Sequence, residues 1–271
     1  MMKTVFDPFS TVVITGASSG IGKACVQGIY TLNPRMAFCN LSRREPRFDQ
    51  AGIRLVHFPC DLSQSKALAA TTTALLDHCR QQTTSGGILL INNAGLGAYG
   101  HFPEPNLTQQ TRMIDVNIRA CVSLTGLLLP LLKERGGAIV NIASIAAFQP
   151  TPYLSVYGAT KAFLLHWSLA LGEELRPNRI RTLALCPGPT KTRFFAVAGF
   201  SEPPLESSGG ETPEAVFQAL SRALAKNKPL AVSGWRNRML TALTGCLPKS
   251  LVARIAAMIL RGLRLEAKRS D

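Results

Sequence analysis

A tyrosine and a lysine four residues apart, Tyr157 and Lys161, form a candidate acid-base pair. Residues at this spacing lie on one face of a helix, one turn apart, so the two side chains would be neighbours. A phenol has a pKa of about 10 and is a poor acid-base catalyst near neutral pH, but an adjacent ammonium stabilises its anion. We therefore expect Lys161 to lower the pKa of Tyr157, and Tyr157 to exchange protons with a substrate oxygen.

A glycine-rich segment at 15–22, TGASSGIG, lies between an apolar run and a stretch of helical pattern. Gly16 permits a tight turn, Gly20 lets the backbone approach a pyrophosphate, and Gly22 allows close packing of the following helix. The N-terminus of that helix would offer free N–H groups and partial positive charge to a phosphate. The spacing, Gly-x-x-x-Gly-x-Gly, differs from the usual Gly-x-Gly-x-x-Gly fingerprint, and a glycine turn without a ligand is the alternative interpretation.

Short apolar runs recur between helix-length segments and predict the sheet that positions these residues. Runs that are apolar on both faces are typical of parallel strands covered on both sides. We predict an α/β fold in a single domain, residues 1–271: a Rossmann-like, doubly wound parallel sheet of about seven strands with helices on both faces. Ligands then bind at the carboxyl ends of the strands. The predicted strands are 11–14, 36–41, 53–58, 88–91, 138–142, 180–185 and, as a candidate seventh, 229–232.

Composition excludes several classes of protein. Hydrophobic residues make up 46% of the 271 residues and charged residues 17%, which excludes a disordered chain. The 7 cysteines include no Cys-x-x-Cys pair, and no histidines stand at metal-ligand spacing, so we predict buried thiols in a reducing compartment and no metal site. No export signal or membrane-spanning run is visible, which favours a cytoplasmic location.

The chain resembles the short-chain dehydrogenase/reductase family over about residues 10–195. The variant glycine spacing is one point of resemblance, and further motifs agree with it in order and spacing, which makes the combination highly specific. The motifs are TGASSGIG (15–22), NNAG (92–95) after the fourth run, Asn117 in the next helical segment, Ser144 after the fifth run, YGATK (157–161) and PGPT (187–190) after the sixth run.

The resemblance implies an oxidoreductase acting on CH–OH groups, with hydride transfer from a nicotinamide cofactor. Tyr157 would donate its proton to a carbonyl oxygen, or accept one from an alcohol. Ser144 would hold the substrate oxygen, Lys161 would also bind the nicotinamide ribose, and Asn117 would have a structural and proton-relay role through water to Lys161. Taken singly, each has another interpretation: a packing tyrosine, a solvated lysine or a serine in a turn.

The end of the second strand favours NADP(H) over NAD(H). NAD sites place an acid there to bind the ribose hydroxyls, whereas this chain has Ser42, Arg43 and Arg44 before its first acid, Glu45. A guanidinium can bind a 2′-phosphate bidentately and stack on the adenine. Solvated arginines in a loop are the alternative, and Ser18 stands where some NADP-preferring relatives carry a basic residue.

Asp61 follows the third strand at the family position that meets the adenine amino group, but it is equally an N-cap candidate for a helix from Leu62 onward. One carboxylate can fulfil only one of these roles completely. The candidate cofactor-binding residues are Gly16, Ser18, Ser19, Gly20, Ile21, Gly22, Ser42, Arg43, Arg44, Asp61, Leu62, Asn93, Ala94, Gly95, Tyr157, Lys161, Pro187, Gly188, Thr190 and Thr192.

The predicted substrate pocket is apolar, which suits a lipophilic ketone, aldehyde or alcohol held by surface area. A loop at 190–212 would close over it as a lid, and the glycines at 97 and 100 suggest a shaped loop opposite. A small polar substrate, with these residues serving as lid packing, is the alternative. The candidate pocket residues are Leu96, Gly97, Ile145, Ala146, Phe148, Tyr153 and the stretch 192–200, which includes Phe194, Phe195 and Phe200.

The C-terminal part of the chain is strongly basic. Residues 222–271 contain 11 Lys+Arg and two acids, and so carry +9 of the formal +14. A basic amphipathic helix is predicted at 250–269. It would either dock on the domain with a solvated basic face or lie on an anionic membrane, which would place the protein peripherally at the inner membrane surface. No motif supports specific binding of nucleic acid.

Two further expectations complete the prediction. Family members often pair through the helices that carry Asn117 and Tyr157, so the resemblance implies a homo-oligomer, a dimer or a tetramer. The rival to an enzyme is a non-catalytic NADP-binding or membrane-surface scaffold on the same fold. Such a scaffold would be expected to lose one of the four catalytic residues, and this chain retains all of them.

Overall fold

The computed structural model describes residues 4–82, 86–104, 106–200 and 210–269, with side chains as far as Arg261. Within these ranges seven parallel strands form one sheet in the order β3-β2-β1-β4-β5-β6-β7. The strands are β1 (Phe9–Thr15), β2 (Ala37–Ser42), β3 (Arg54–Pro59), β4 (Gly87–Asn92), β5 (Gly137–Ile142), β6 (Arg181–Cys186) and β7 (Leu230–Val232). The predicted single-domain, doubly wound sheet is confirmed, including its seventh strand.

Helices cover both faces of this sheet. They are α1 (Gly20–Leu32), α2 (Ser65–Gln81), α3 (Leu107–Ile114), α4 (Ala120–Arg135), α5 (Ser155–Glu174), α6 (Phe194–Val197), α7 (Pro213–Ala225), α8 (Trp235–Cys246) and α9 (Lys249–Arg269). A π-helical turn at Asp115–Arg119 joins α3 to α4, and a 3₁₀ helix at Ile145–Phe148 follows β5.

The core consists of two layers because successive side chains of a strand point to opposite faces. Val12 and Leu89 pack in a layer with helices α1 and α7. Their neighbours Val13 and Leu90 pack in the other layer with α2 and α4. All four side chains are fully buried. This burial on both faces explains why the strands are continuous apolar runs in the sequence.

One continuous helical stretch, Leu107–Arg135, meets the length and composition of a membrane span, with a mean hydropathy of 1.4. Its apolar side chains have partners within the protein. Leu124, Leu128 and Leu132 are buried against the central strands. Packing under the sheet therefore accounts for the apolar composition of this helix without a bilayer.

Helix α2 begins too late for Asp61 to be its N-cap, which was one of the two roles predicted for this residue. Its N-cap is Gln64 and its first residue is Ser65, so Asp61 does not cap a helix that starts at Leu62. Instead, Asp61 Oδ1 accepts hydrogen bonds from Ser63 N (3.0 Å) and Ser63 Oγ (2.7 Å). The local turn takes up this carboxylate oxygen because the Ser63 donors lie only two residues away.

Candidate active site

The glycine-rich turn joins β1 to α1 beside the end of β4. Gly16 and Gly20 have φ values of +74° and +55°, a region that residues with a Cβ seldom adopt. Asn93 Nδ2 donates to the carbonyl oxygens of Thr15 (2.9 Å) and Gly16 (3.1 Å) and ties the turn to β4. The N-cap Ser19 makes no side-chain cap bond, and no acid stands in the first turn of α1. The first N–H groups of α1 are therefore suited to bind a phosphate.

Gly22 provides a sharp test of this turn. A Cβ at this position would collide with the Gly16 carbonyl oxygen and lie 2.6 Å from Asn93 Nδ2. We expect Gly22→Ala to lower the free energy of unfolding by about 1–3 kcal/mol, because the turn must deform, and to weaken dinucleotide binding. Thermal melts and titration with NADPH measure the two effects.

Gly126→Ala is the matched control, since Gly126 is also helical but has no atom within 4 Å of its would-be Cβ. It should raise the free energy of unfolding by about 0.5–1 kcal/mol through helix propensity. A Gly22→Ala protein that melts like the Gly126→Ala protein and binds NADPH normally would contradict this account of the turn.

The structure brings Ser144 and Tyr157 into contact beyond the end of β5. Ser144 Oγ accepts a hydrogen bond from Ala146 N (3.1 Å), which leaves its O–H free to donate to the Tyr157 hydroxyl. Tyr157 lies in the first turn of α5. This arrangement places a fixed donor beside the phenol, where a substrate oxygen could accept from both groups.

Lys161 lies one turn further along α5 and is 4% exposed. Its Nζ donates to the Ile142 carbonyl oxygen (2.7 Å) at the end of β5 and stands 5.8 Å from the centroid of the Tyr157 ring. A Cβ on Gly95 would lie 3.3 Å from the same Nζ, so the ammonium faces the NNAG segment after β4. Lys161 thus lies between the strand ends and the phenol.

Burial decides the titration of both groups. It lowers the pKa of Lys161 from 10.5 to about 8. Burial also raises the pKa of Tyr157 to about 12, against the opposing effect of the Ser144 hydrogen bond. The phenol pKa is therefore raised and not lowered in the protein alone, because the loss of solvation outweighs any stabilisation of the anion by the ammonium, which is itself bonded to Ile142 O. Near neutral pH Tyr157 is a protonated donor and Lys161 remains largely charged.

Asn117 lies in the π-helical turn and is fully buried. Its Oδ1 accepts from Leu96 N (2.8 Å), and its Nδ2 donates to Leu96 O (2.9 Å) and to Thr160 Oγ1 (3.0 Å). Thr160 in turn donates to the Tyr157 carbonyl oxygen (2.7 Å). These contacts make Asn117 a positioning residue that holds the segment after β4 against the helix of Tyr157. The water relay to Lys161 stays a prediction.

The loop after β2 is basic, and one of its polar groups, the Ser42 hydroxyl, already has hydrogen-bond partners within the protein. Ser42 Oγ accepts from Asn40 Nδ2 (2.9 Å) and donates to Arg44 O (2.7 Å), so its hydroxyl already has two partners. The side chains of Arg43 and Arg44 are exposed. Asp61 is desolvated, but its bonds to Ser63 and the charges of Arg112 and Arg43 hold its pKa below the ordinary value. Arg43 is thus close to the carboxylate predicted to meet adenine.

Asp61 has a further partner that the sequence did not indicate. Arg112 on α3 forms an ion pair with Asp61 Oδ2 at 2.8 Å. With Oδ1 bonded to Ser63, both carboxylate oxygens are engaged within the protein. A ligand at this position would have to share these bonds.

A cleft of about 1460 Å³ opens beside the glycine turn, between α1 and the segment that follows β6. Its lining includes Ser18, Ser19 and Gly20 from the turn, and Arg44 from the loop after β2. Ile21 and Gly22 continue from the turn into α1. The cleft therefore joins the phosphate-binding candidates to the basic loop.

The segment after β6 lies directly over the glycine turn. A Cβ at Gly20 would be 2.9 Å from Thr192 Cγ2, and one at Gly97 would collide with the ring of Phe194. The Thr190 hydroxyl donates to Gly188 O (2.9 Å). Residues 190–197 therefore bridge the two sides of the site. Residues 201–209 of the predicted lid lie outside the described residues.

Remaining cofactor candidates line the same strand ends. Ala94 N, like Asn93 N, donates to Thr15 Oγ1 (2.9 and 3.0 Å). Pro187 O accepts from Ile145 N (3.0 Å), which fixes the segment after β6 beside the 3₁₀ helix. Leu62 is buried in the core layer of α2 and α4, so its side chain packs there while its backbone follows Asp61.

The predicted pocket residues separate into two groups. Phe194 lies 5.1 Å from Tyr157 between ring centroids, and Phe195 packs against Phe194 at 5.4 Å. Phe148 instead packs against the apolar cluster of α5 and lines a separate cavity of about 750 Å³. The 3₁₀ helix thus carries Phe148 toward α5, where its side chain lines this cavity.

Tyr153 joins the first group through Phe200, which was predicted to line the pocket, and through Tyr99, which the prediction omitted. Rings follow one another from Phe195 to Phe200 (5.2 Å), Tyr99 (4.2 Å) and Tyr153 (6.2 Å). His101 adds an edge contact to Tyr153 at 4.9 Å. We call the set Phe194, Phe195, Phe200, Tyr99, Tyr153 and His101 the aromatic cluster. Leu96, Ile145 and Ala146 lie on the segments that flank Tyr157 and Ser144.

Asn40 and Thr15 were also missed, although the sequence contains a signal for them. Both are polar residues in otherwise apolar strands. Asn40 Oδ1 accepts from Ala17 N (2.9 Å), and Thr15 Oγ1 accepts the two N–H groups of the NNAG segment. A buried polar side chain needs a partner, and here the partner is the backbone that shapes the glycine turn.

The residues present fit a nicotinamide dinucleotide. The turn has two glycines in left-handed conformations and leads into a helix whose N-cap makes no side-chain bond. Neighbouring atoms lie so close to its glycines that a Cβ would not fit. Among the described residues, no group of three potential ligands could hold a metal ion. The model of the short chain dehydrogenase family matches residues 10–199.

The chain belongs to the short chain dehydrogenase family. It is 32% identical over 244 residues to the ketoacyl reductase HetN of Nostoc, covering 86% of this chain and 81% of that protein. It is 34% identical over 193 residues to serine 3-dehydrogenase of Rhizobium radiobacter, covering 69% and 74%. A short-chain dehydrogenase of Sphingobium yanoikuyae in complex with NADPH is 27% identical, with a TM-score of 0.73 over 89% of this chain and 97% of that one.

Membership establishes the coarse activity. This short chain dehydrogenase is an oxidoreductase of CH–OH groups that uses a nicotinamide dinucleotide. The glycine turn would hold its pyrophosphate, and the binding of its ribose by Lys161 stays a prediction. The bound cofactor supplies or receives the hydride.

Proposed function

We propose that this short chain dehydrogenase reversibly reduces a lipophilic ketone or aldehyde to an alcohol with NADPH. The observation that carries the proposal is the contact between Tyr157 and the aromatic cluster, 5.1 Å from ring to ring. An aromatic wall beside the proton donor holds a substrate by buried apolar area. The name of the Nostoc relative, a ketoacyl reductase, agrees with a ketone that carries an acyl chain.

The protonation state of Tyr157 suits the role of proton donor in the reductive direction. Tyr157, with its pKa raised to about 12, is neutral near pH 7 and donates its proton to the substrate oxygen as charge develops there. The Ser144 hydroxyl donates a hydrogen bond to the same oxygen, and after the product leaves it donates to the Tyr157 hydroxyl again. The Lys161 ammonium stabilises the phenolate that remains. Oxidation requires the reverse transfer, from the alcohol to a phenolate.

A panel of carbonyl compounds tests the substrate class. Steroid, retinoid, acyl and quinone carbonyls are each offered with NADPH and with NADH, and loss of the reduced nicotinamide is followed. We expect turnover with at least one apolar class and preference for NADPH. Faster oxidation of serine than reduction of any apolar carbonyl would favour the polar alternative suggested by the Rhizobium relative. No turnover with any compound would favour the non-catalytic scaffold.

The NADPH preference rests on the basic loop after β2. Arg43 is exposed and close enough to Asp61 to affect its pKa, so it borders the adenosine end of the site. We expect Arg43→Ala to lower kcat/KM for NADPH by about 10–100-fold, the effect of losing one charge-assisted hydrogen bond to a phosphate, and to leave NADH nearly unchanged.

Arg35→Ala is the matched control, because Arg35 is also exposed and precedes β2. It should leave both cofactors unaffected. Equal losses for NADPH and NADH in Arg43→Ala, or none for either, would show that Arg43 does not contact a 2′-phosphate.

A second copy of the chain is the proposed partner of α4 and α5. Val122, Leu127 and Phe163 on these helices are large apolar side chains that are 38–42% exposed. Light scattering at several protein concentrations would detect a dimer or tetramer.

The cytoplasmic location stays a prediction, supported by the free thiols of all seven cysteines.

A further inference from the structure

Helices α8 and α9 expose an unusual number of large apolar side chains. Trp235, Met239 and Leu243 recur every four residues on α8 and are 59–64% exposed. On α9, Met258 and Ile259 are 68% and 65% exposed. Leu251 and Ile255 precede them at helical spacing on the same face and are also exposed. These seven exposed residues belong to two consecutive helices, and we refer to them together as the C-terminal apolar face.

Helix α9 is docked by a different stripe. Val252 and Ala256 are 4% and 8% exposed, and the Tyr99 hydroxyl donates to the Leu260 carbonyl oxygen (2.6 Å). The docked residues are therefore different from those of the apolar face, and the α9 residues of that face lie beside the docked stripe and remain exposed. Docking of this helix on the domain, one of the two predicted alternatives, is thus observed, and contact with a membrane stays a prediction.

The charged residues between Trp235 and Arg261 are all positive. Residues 235–261 contain five cations, and no aspartate or glutamate occurs in this stretch. Arg254 and Arg261 lie together at the edge of the α9 face opposite the docked stripe, seven residues apart. On α8, the guanidinium of Arg236 lies 5.4 Å from the Trp235 ring centroid. Apolar side chains with a cationic rim are typical of helices that lie in a membrane interface.

We propose that the C-terminal apolar face binds the surface of an anionic lipid bilayer. A second copy of the chain is disfavoured as the occupant, because a symmetric contact would bring the two sets of cations together. Nucleic acid would match the cations but not the methionine, isoleucine and leucine side chains. An anionic bilayer matches both, since its headgroups attract the arginines and its acyl region accepts the apolar side chains.

Helix α9, which carries part of this face, is bonded to a residue of the aromatic cluster. Tyr99, which holds α9, stacks on Phe200 of the aromatic cluster at 4.2 Å. A lipophilic carbonyl that leaves the bilayer beside α9 would meet this cluster before Tyr157. The membrane proposal rests on the surface alone and does not depend on this substrate.

Flotation of the full chain with vesicles tests the proposal. Vesicles of phosphatidylcholine with about 30% phosphatidylglycerol are compared with pure phosphatidylcholine at about 0.1 M salt. We expect strong co-flotation with the anionic vesicles and little with the neutral ones. Brominated phosphatidylcholine in the anionic vesicles should quench the emission of Trp235, and Trp235→Phe should remove that quenching.

Two double variants separate the apolar and ionic contributions. Met258→Gln with Ile259→Gln, and separately Arg254→Gln with Arg261→Gln, should each lower the vesicle partition coefficient about tenfold or more. The matched controls are Val56→Gln with Leu107→Gln, apolar residues exposed elsewhere, and Lys66→Gln with Arg80→Gln on α2. Both controls should partition like the unaltered protein.

Several results would overturn the proposal. These are no co-flotation with anionic vesicles even at low salt, equal losses in the controls, or co-flotation without quenching of Trp235. A shift in oligomeric state on Met258→Gln with Ile259→Gln, at unchanged vesicle partition, would assign the face to a second copy. The carbonyl panel is run without vesicles on water-dispersed substrates, so failure of the proposed activity and failure of membrane binding are distinguishable.

Discussion

Tyr157→Phe is expected to lower the turnover of carbonyl reduction by about 10²–10⁴-fold, the range that general acid catalysis supplies. The variant loses only the hydroxyl, so the ring still packs 5.1 Å from Phe194 and the fold is retained. The proton that Tyr157 donates has no replacement, since Lys161 is held by Ile142 O and Ser144 is a much weaker acid. Steady-state rates and an NADPH titration measure the effect, and the dissociation constant of NADPH should remain within a few-fold.

Tyr153→Phe is the matched control because Tyr153 carries the same group within the aromatic cluster but has no contact with Ser144 that the structure describes. It should alter KM more than kcat. Retained activity of Tyr157→Phe over a panel of aldehydes and ketones would remove Tyr157 from the mechanism. Equal losses in both variants would point to a general disturbance of the aromatic cluster.

Lys161→Met is expected to have opposite effects on activity and stability. Burial of the ammonium lowers the pKa of Lys161 from 10.5 to about 8, which corresponds to a cost of about 3 kcal/mol in the folded state near neutral pH. Methionine fills a similar volume without this cost, but it loses the bond to Ile142 O. The free energy of unfolding should rise by about 1–2 kcal/mol, after about 1 kcal/mol is subtracted for the lost bond. Turnover should fall about 100-fold or more, because the phenolate loses its charge partner.

The stability gained by Lys161→Met should depend on pH in a defined direction. Between pH 8 and 10.5 the folded protein has released the Lys161 proton and the unfolded chain has not, so the unfolded state binds more protons and this group stabilises the fold increasingly as pH rises. The advantage of Lys161→Met should therefore shrink over that interval. Denaturant unfolding at a series of pH values measures it, with Lys133→Met as the exposed control. A constant difference between variant and parent would mean that Lys161 does not titrate as described.

The spacing of the catalytic residues predicts which of them are neighbours, but not how they titrate. Tyr157 and Lys161 share a face of α5 because four residues make about one helical turn, so their proximity could be predicted from the sequence. Their pKa values could not. The Tyr157 pKa depends on how much solvent the surrounding elements exclude, and the Ile142 carbonyl that holds Lys161 comes from another strand. Solvation is a property of the assembled site.

The substrate side shows the same division. Phe194 and Phe148 were both expected in one pocket, but the 3₁₀ helix after β5 carries Phe148 into a cavity beside α5. Tyr99 was missed because its role depends on contacts with Phe200 and with α9, which is 161 residues away along the chain. Neither distant contact leaves a periodic signal in the sequence.

The order of the elements along the chain could be predicted from the amino-acid sequence: seven apolar runs, the glycine turn after the first run, and the family motifs after later runs. These follow from local preferences and from the burial of parallel strands on both faces, which each segment carries in its own residues. Three features could not be predicted and depend on the packed chain: Asp61 bonds to Ser63 and Arg112, burial controls the pKa of Tyr157, and α9 docks by Val252 while leaving Met258 exposed. Each of these depends on which surfaces of distant segments exclude water from one another, and that exclusion exists only after the chain has packed.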